Sequence, residues 1–194
     1  MKFGNDHMRL AASTCDVLSN REEKVSRLQS FISESLLSDG QKGCGLRLIA
    51  KSIDSPVAVA LTAALRDVAV PKVALRVVLL ETDGLTEASA AATLLDMRNA
   101  DVRILQDVRF AAAHEQLTTG SARLWIGDCM RRDPAKRDAF ELFHGSNAAA
   151  ASHAEQSFDK LWSKAEPVKR MVPAGVVVAG KKTRTKAQRP STGR

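Results

Sequence analysis

A chain of 194 residues, 44% hydrophobic and 26% charged, is long enough to bury a core without disulfides or metals. Its three cysteines, Cys15, Cys44 and Cys129, lie far apart with no Cys-x-x-Cys pair, which argues against a zinc site or a redox dithiol. The net charge of +7 is concentrated: Lys181, Lys182, Arg184, Lys186, Arg189 and Arg194 carry six of those charges with no acid among them, and the rest is nearly neutral.

Residues 1–18 carry no periodic pattern. Ser19 with Glu22 matches a capping box, and Val25, Leu28, Ile32 and Leu36, with Phe31 beside them, then recur at helical spacing. Glycines around Gly40 and Gly43 stop that helix, and Leu46–Lys51 reads as a strand. Ser55-Pro56 is a strong helix start, with a capping hydroxyl before a proline at the first helical position. Val57, Ala60, Leu61, Ala64, Leu65 and Val68 form one apolar face, and Pro71 ends it. Lys72–Leu80 has the apolar, partly β-branched character of a strand buried on both faces. Asp83-Gly84 turns the chain, Thr86 caps a helix running to about Arg98, and Val102–Leu105 is a short strand. This alternation of helix and strand predicts a mainly parallel α/β sheet.

After Val108 the pattern changes. His114-Glu115-Gln116-Leu117, a polar turn around Gly120, and Leu124-Trp125-Ile126-Gly127-Asp128 read as a β-hairpin. The expected architecture is therefore a mixed, mostly parallel sheet flanked by helices, ending in an antiparallel strand. Asp133-Pro134 is expected to start a helix that carries Phe140 and Phe143 and ends at Gly145-Ser146. Ser152 with Glu155 suggests another capping box, before the stripe Phe158, Leu161 and Trp162. The expected organisation is an irregular segment at 1–18, one domain at 19–165, and a linker with a basic disordered tail at 166–194. No apolar run reaches membrane-spanning length, and the first residues lack the apolar core of a secretory signal, so a cytoplasmic location is expected.

The hairpin, with its leading histidine and closing glycine, resembles the active-site motif of the phospholipase D superfamily. In that family a His-x-Lys segment starts one strand and a Gly-Ser-x-Asn segment closes the next. The resemblance extends over about residues 30 to 165, including the order of elements and a final helix ending Phe158-Asp159-Lys160-Leu161-Trp162. It implies a histidine that attacks phosphorus, and a second histidine from another copy of the motif that protonates the leaving oxygen. One motif per chain then implies a homodimer with two hairpins facing each other.

Carried over, the resemblance makes His114 the nucleophile and puts Gln116 at the lysine position. The loss of that charged phosphate clamp is expected to cost several kcal/mol, by analogy with ~3–4 kcal/mol for a lost oxyanion donor. A lysine restored at 116 is expected to raise activity. Gly127 matches the motif glycine, while Asp128 stands at the serine position and Met130, or an arginine if the register slips, at the asparagine. Arg131, Arg132, Lys136 and Arg137 are candidate phosphate ligands, although Asp133 and Asp138 among them could pair with these cations instead. Lys181, Lys182, Arg184, Lys186 and Arg189 either contact nucleic acid or anionic lipid, or form a solvated end. His144, ahead of Gly145-Ser146-Asn147, only superficially copies the motif ending and reads as a helix stop.

No cofactor and no metal is implied. The favoured function is a degenerate phospholipase D-like protein with weak or no phosphodiesterase activity that retains a phosphate-ester or nucleic-acid-binding surface. The alternatives are an active phosphodiesterase or nuclease using His114 in a homodimer, and a non-catalytic scaffold. The enzyme reading expects His114, Gln116 and Gly127 to line one cleft; the scaffold reading expects His114 to be buried.

Overall fold

The computed structural model describes residues 14–17, 20–39, 45–67, 73–81, 94, 97, 99–107, 109, 112–131 and 140–168. In chain order these form β1 (Thr14–Val17), α1 (Arg21–Asp39), β2 (Gly45–Ala50), α2 (Pro56–Asp67), β3 (Ala74–Leu79), β4 (Ala100–Ile104), β5 (His114–Thr119), β6 (Arg123–Cys129), β7 (Phe140–His144), α3 (Ala148–Trp162) and β8 (Glu166–Pro167). The strands join in one sheet, in the order β1-β7-β6-β5-β2-β3-β4-β8 among the described residues. Strands β2, β3 and β4 are parallel. On one side β5, β6, β7 and β1 continue antiparallel, and β8 lies antiparallel on the other edge.

Side-chain alternation along the strands divides the core in two. Leu46, Leu48 and Ala50 of β2, with Leu75, Val77 and Leu79 of β3, face one way. They meet Leu28, Phe31, Ile32 and Leu36 of α1 and Val57, Ala60, Leu61 and Ala64 of α2. Ile49 and Val78 face the other way and pack with Leu105, Met130, Phe158, Leu161 and Ala165. The sheet is thus sandwiched between α1 and α2 on one face and α3 on the other. Burying one such Leu or Phe side chain contributes roughly 1.5–3 kcal/mol, so the apolar stripes of these helices decide which face each covers. No helix among the described residues is long and apolar enough to cross a membrane.

Several local expectations change. Thr14–Val17, patternless in sequence, is an edge strand paired with β7. The cap of α1 is Asn20, whose Oδ1 accepts from the Glu22 amide at 2.8 Å; Ser19 lies outside the described residues. The helix expected from Thr86 also lies mostly outside them, although Leu94 is helical and fully buried. The helix expected to carry Phe140 and Phe143 is corrected: Phe140–His144 is strand β7, with Glu141 and Phe143 both buried. Helix α3 begins earlier than a Ser152 cap would place it. Its cap is Asn147, whose Oδ1 accepts from Ala150 N at 3.0 Å. Glu155 instead pairs with Arg47 of β2 at 2.6 Å. Glu166–Pro167, expected to be loose, is the short edge strand β8.

The first core contains one ion pair. Lys24 of α1 and Glu141 of β7 are both buried and bonded to each other, and Trp125 Nε1 donates to the second oxygen of Glu141. Burial pushes the Glu141 carboxyl above its ordinary range, against the pull of Lys24 and Trp125. Glu141→Ala strands both a buried ammonium and an indole N–H, and is expected to cost about 3–5 kcal/mol. Lys24→Met combined with Glu141→Gln removes both charges and leaves an acceptor for the indole. Urea denaturation should show the double variant recovering at least half of that loss; a strictly additive double loss would contradict the pair's role.

Candidate functional site

Strand β5 starts at the carboxyl-terminal end of the parallel strands, where open α/β sheets place their ligands. Here the hairpin is irregular. His114 pairs with Cys129 and Gln116 with Ile126, so Gly127 and Asp128 together face Glu115 in a β-bulge. Met130 N donates to Ala113 O at 2.9 Å and closes the hairpin beyond the bulge. The fully buried Glu115 accepts from Lys51 N at 3.0 Å, tying β5 to the end of β2.

His114 is exposed, and its Nδ1 lies 2.8 Å from the Gly127 carbonyl oxygen. A carbonyl only accepts, so Nδ1 carries the hydrogen. The other nitrogen, Nε2, then holds the lone pair of the neutral ring. That is the tautomer a nucleophilic histidine needs at Nε2.

Gln116 is 8% exposed, and its Nε2 donates to Ala154 O of α3 at 2.9 Å. Gln116, which the resemblance puts at the motif's lysine position, thus uses its amide inside the sheet–helix interface. Gly127 has a packing reason to be glycine. A Cβ there would fall 2.5 Å from Cζ2 and 2.6 Å from Cη2 of the fully buried Trp125. Asp128, at the motif's serine position, is buried. His144 pairs with Leu124, at the far end of β6 from Cys129, so it sits away from His114.

An open cleft of about 550 Å³ lies beyond β2, β3 and β4, lined by Lys51, Leu80, Glu81, Leu105, Gln106, Arg109, Met130 and Arg131. Of the expected site residues that are described, Arg131 lines it and His114, Gln116 and Gly127 do not. His114 sits beside it through the Ala113–Met130 bond. Lys51 pairs with Glu81 at 3.4 Å, and Arg109 with Asp107 at 2.6 Å. Hydrogen bonding to Arg109 pulls the Asp107 carboxyl down to about 2, so this pair stays charged through the ordinary carboxylate range. Arg131 is exposed and has no ion pair with a described residue. Lys51 and Arg109 were missed from sequence. Lys51 and Glu81 had a usable signal, since each lies just past a parallel strand; Arg109 had none. Arg132, Lys136 and Arg137 lie outside the described residues, as do Lys181, Lys182, Arg184, Lys186 and Arg189. Among the described residues no three His, Cys, Asp or Glu side chains gather as metal ligands would.

No family model and no curated protein matches the chain by sequence. Solved structures do match. The chain superposes on TrmBL2, an archaeal chromatin protein whose structure shows a novel mode of DNA binding, at TM-score 0.57 and 14% identity. That match covers 84% of this chain and 56% of TrmBL2, so the chain spans little more than half of that protein. NucT from Helicobacter pylori matches at TM-score 0.55 and 13% identity, over 81% of this chain and 99% of NucT. Nuc from Salmonella typhimurium, a phospholipase D family member, matches at 0.53 and 13%, over 81% and 99%. The fold is phospholipase D-like. At such identities the likeness speaks for the backbone, and the side chains of this chain must be judged on their own geometry.

The burial of Gln116 reverses the effect expected of a lysine there. Gln116→Lys would place an ammonium at a nearly closed position against α3. It should lower stability by about 1–3 kcal/mol and give no gain in phosphodiester hydrolysis. A thermal melt unchanged by the substitution, together with faster turnover, would show that the side chain swings out to a substrate.

Proposed function

We propose that this chain is a phospholipase D-like domain with a degenerate active site that retains a surface for phosphate esters, nucleic acid in particular. The observation that carries this reading is the arrangement at the carboxyl ends of β2 to β4. An exposed His114, its Nδ1 held by the Gly127 carbonyl, stands beside a cleft holding Lys51, Arg109 and Arg131. The motif's lysine position is meanwhile filled by a neutral, internally bonded Gln116. Arginine forks bind phosphate bidentately, so the cleft supplies cations while the hairpin lacks its own. A shared fold with a DNA-binding chromatin protein supports the nucleic-acid side of the reading.

Any residual hydrolysis would run through His114 Nε2 attacking phosphorus, with a second His114 protonating the leaving oxygen across a homodimer axis. With no lysine clamp such turnover would be slow. The domain acts in the cytoplasm on this reading, needs no cofactor, and presents its basic tail as a second contact to nucleic acid.

Binding of a labelled single-stranded oligonucleotide, followed by fluorescence anisotropy between about 50 and 200 mM salt, tests the cleft. Lys51→Gln, Arg109→Gln and Arg131→Gln should each weaken binding and flatten the slope of log K against log salt by about 0.7 per lost contact. Hydrolysis of a generic phosphodiester should be slow or absent, and what exists should vanish in His114→Ala. Binding that ignores all three cleft substitutions would overturn this placement of the ligand; robust turnover that survives His114→Ala would end the reading of a degenerate histidine site.

The tail contributes separately. Removing residues 181–194 should leave the melting temperature nearly unchanged, because the segment has no apolar face. It should also weaken oligonucleotide binding with a shallower salt dependence. Identical binding curves at every salt concentration would exclude the tail as a contact.

A further inference from the structure

Strand pairing holds Gly127 less than it holds its neighbours. The β5–β6 ladder steps from Gln116–Ile126 to His114–Cys129 and skips Gly127 and Asp128. The β6–β7 register ends, among the described residues, at Ile126 with Leu142. Among the described residues two other contacts bear on the Gly127 peptide. One is His114 Nδ1, at 2.8 Å. The other is the six-membered ring of Trp125 on its Cα side: a Cβ on residue 127 would fall 2.5 Å from Cζ2 and 2.6 Å from Cη2. That ring is itself fixed. Trp125 is fully buried, its Nε1 donates to Glu141 Oε2 at 2.5 Å, the same carboxylate holds Lys24, and the Lys24 ammonium lies 5.8 Å from the ring centroid.

We propose that Trp125, anchored by Glu141 and Lys24, is a positioning residue for His114: it sets the Gly127 carbonyl and thereby keeps the imidazole proton on Nδ1. The inference rests on the reading of His114 as the site histidine. The physical link is short. A neutral imidazole carries one N–H, and a bond to a carbonyl demands that it be the nitrogen facing it. If the indole moves, the Gly127 peptide loses its support on that side, the bond lengthens, and the ring is free to exchange tautomers. Nothing in this chain requires Trp125 to touch the substrate.

Long-range proton–nitrogen correlation spectra of the full chain, recorded above the imidazole titration, read the tautomer directly. In the native chain His114 Nδ1 should appear as a protonated nitrogen and Nε2 as an unprotonated one. Trp125→Phe removes both the indole donor and the ring atoms against Gly127. The two His114 nitrogens should then move toward each other in shift, while exposed His153 on α3 stays unchanged as an internal reference. Gly127→Ala is the second variant. It keeps the indole N–H and the Glu141 carboxylate as chemical groups, forces the residue-127 peptide and the Trp125 ring apart, and should produce the same convergence. A folded variant of either kind, checked by circular dichroism, that keeps the native nitrogen pattern overturns the proposal. So does a native chain with its proton on Nε2. Oligonucleotide binding measured on the same samples separates the two claims: native protein that fails to bind removes the functional reading and leaves the tautomer result standing.

Discussion

Two residues of β6 stand opposite one residue of β5, and this extra residue governs how the functional end of the sheet is built. A bulge breaks the regular exchange of ladder bonds and turns nearby groups in new directions. Here the groups it releases find partners outside the ladder. The Gly127 carbonyl accepts a hydrogen bond from His114 Nδ1, the Glu115 carboxylate accepts one from the Lys51 amide, and pairing resumes with Met130 N donating to Ala113 O. The end of β2, the start of β5 and the end of β6 are thereby tied together. Lys51, Met130 and Arg131, which wall the cleft, are attached to those same strand ends.

That construction draws polar groups inward to an unusual degree. Glu115, Gln116, Asp128 and Glu141 are all buried around one end of the hairpin. An unpaired buried charge costs far more than an exposed one, so such groups persist only where partners meet them. Lys24 and Trp125 meet Glu141, a backbone amide meets Glu115, and a helix carbonyl meets Gln116. Gln116 and Asp128 are thus side chains turned into the protein. The hairpin leaves His114, by contrast, exposed.

The half of the fold that was legible in sequence is the half where apolar burial follows a simple period. Leu46, Leu48, Leu75, Val77 and the stripes of α1 and α2 announce themselves because each buried position is a hydrocarbon. Strand β7 did not. Phe140 and Phe143 sit three apart, which suggests a helix, and the true alternation of Glu141 with Phe143 was hidden because one of its buried members is an acid. The partner that makes that burial tolerable, Lys24, lies on the first helix, and no local pattern links the two. The site divided the same way. The position of His114 came from the resemblance, and the structure leaves it exposed. The cleft cations Lys51 and Arg109 come together only through the sheet, from segments with no shared motif.

Charge adds a further constraint on how such a site could capture an anion. With six of the seven net charges beyond residue 180, the body has almost no long-range field of its own. Attraction to a phosphate must therefore be local. Salt screens exposed charges beyond about 8–10 Å, but a cleft with apolar walls weakens that screening and concentrates the field of the cations that remain unpaired. Leu80, Leu105 and Met130 provide such walls. Glu81 and Asp107 each neutralise one cation nearby, which leaves Arg131 as the wall cation with no described acidic partner. An anion in the cleft would find Arg131 without a described acidic partner, and would gain the Lys51 ammonium or the Arg109 guanidinium only by competing with their carboxylates. Exchange of one anionic partner for another favours a ligand carrying more charge than a carboxylate or several phosphates in series, and a nucleic-acid strand meets that condition better than a single small ester.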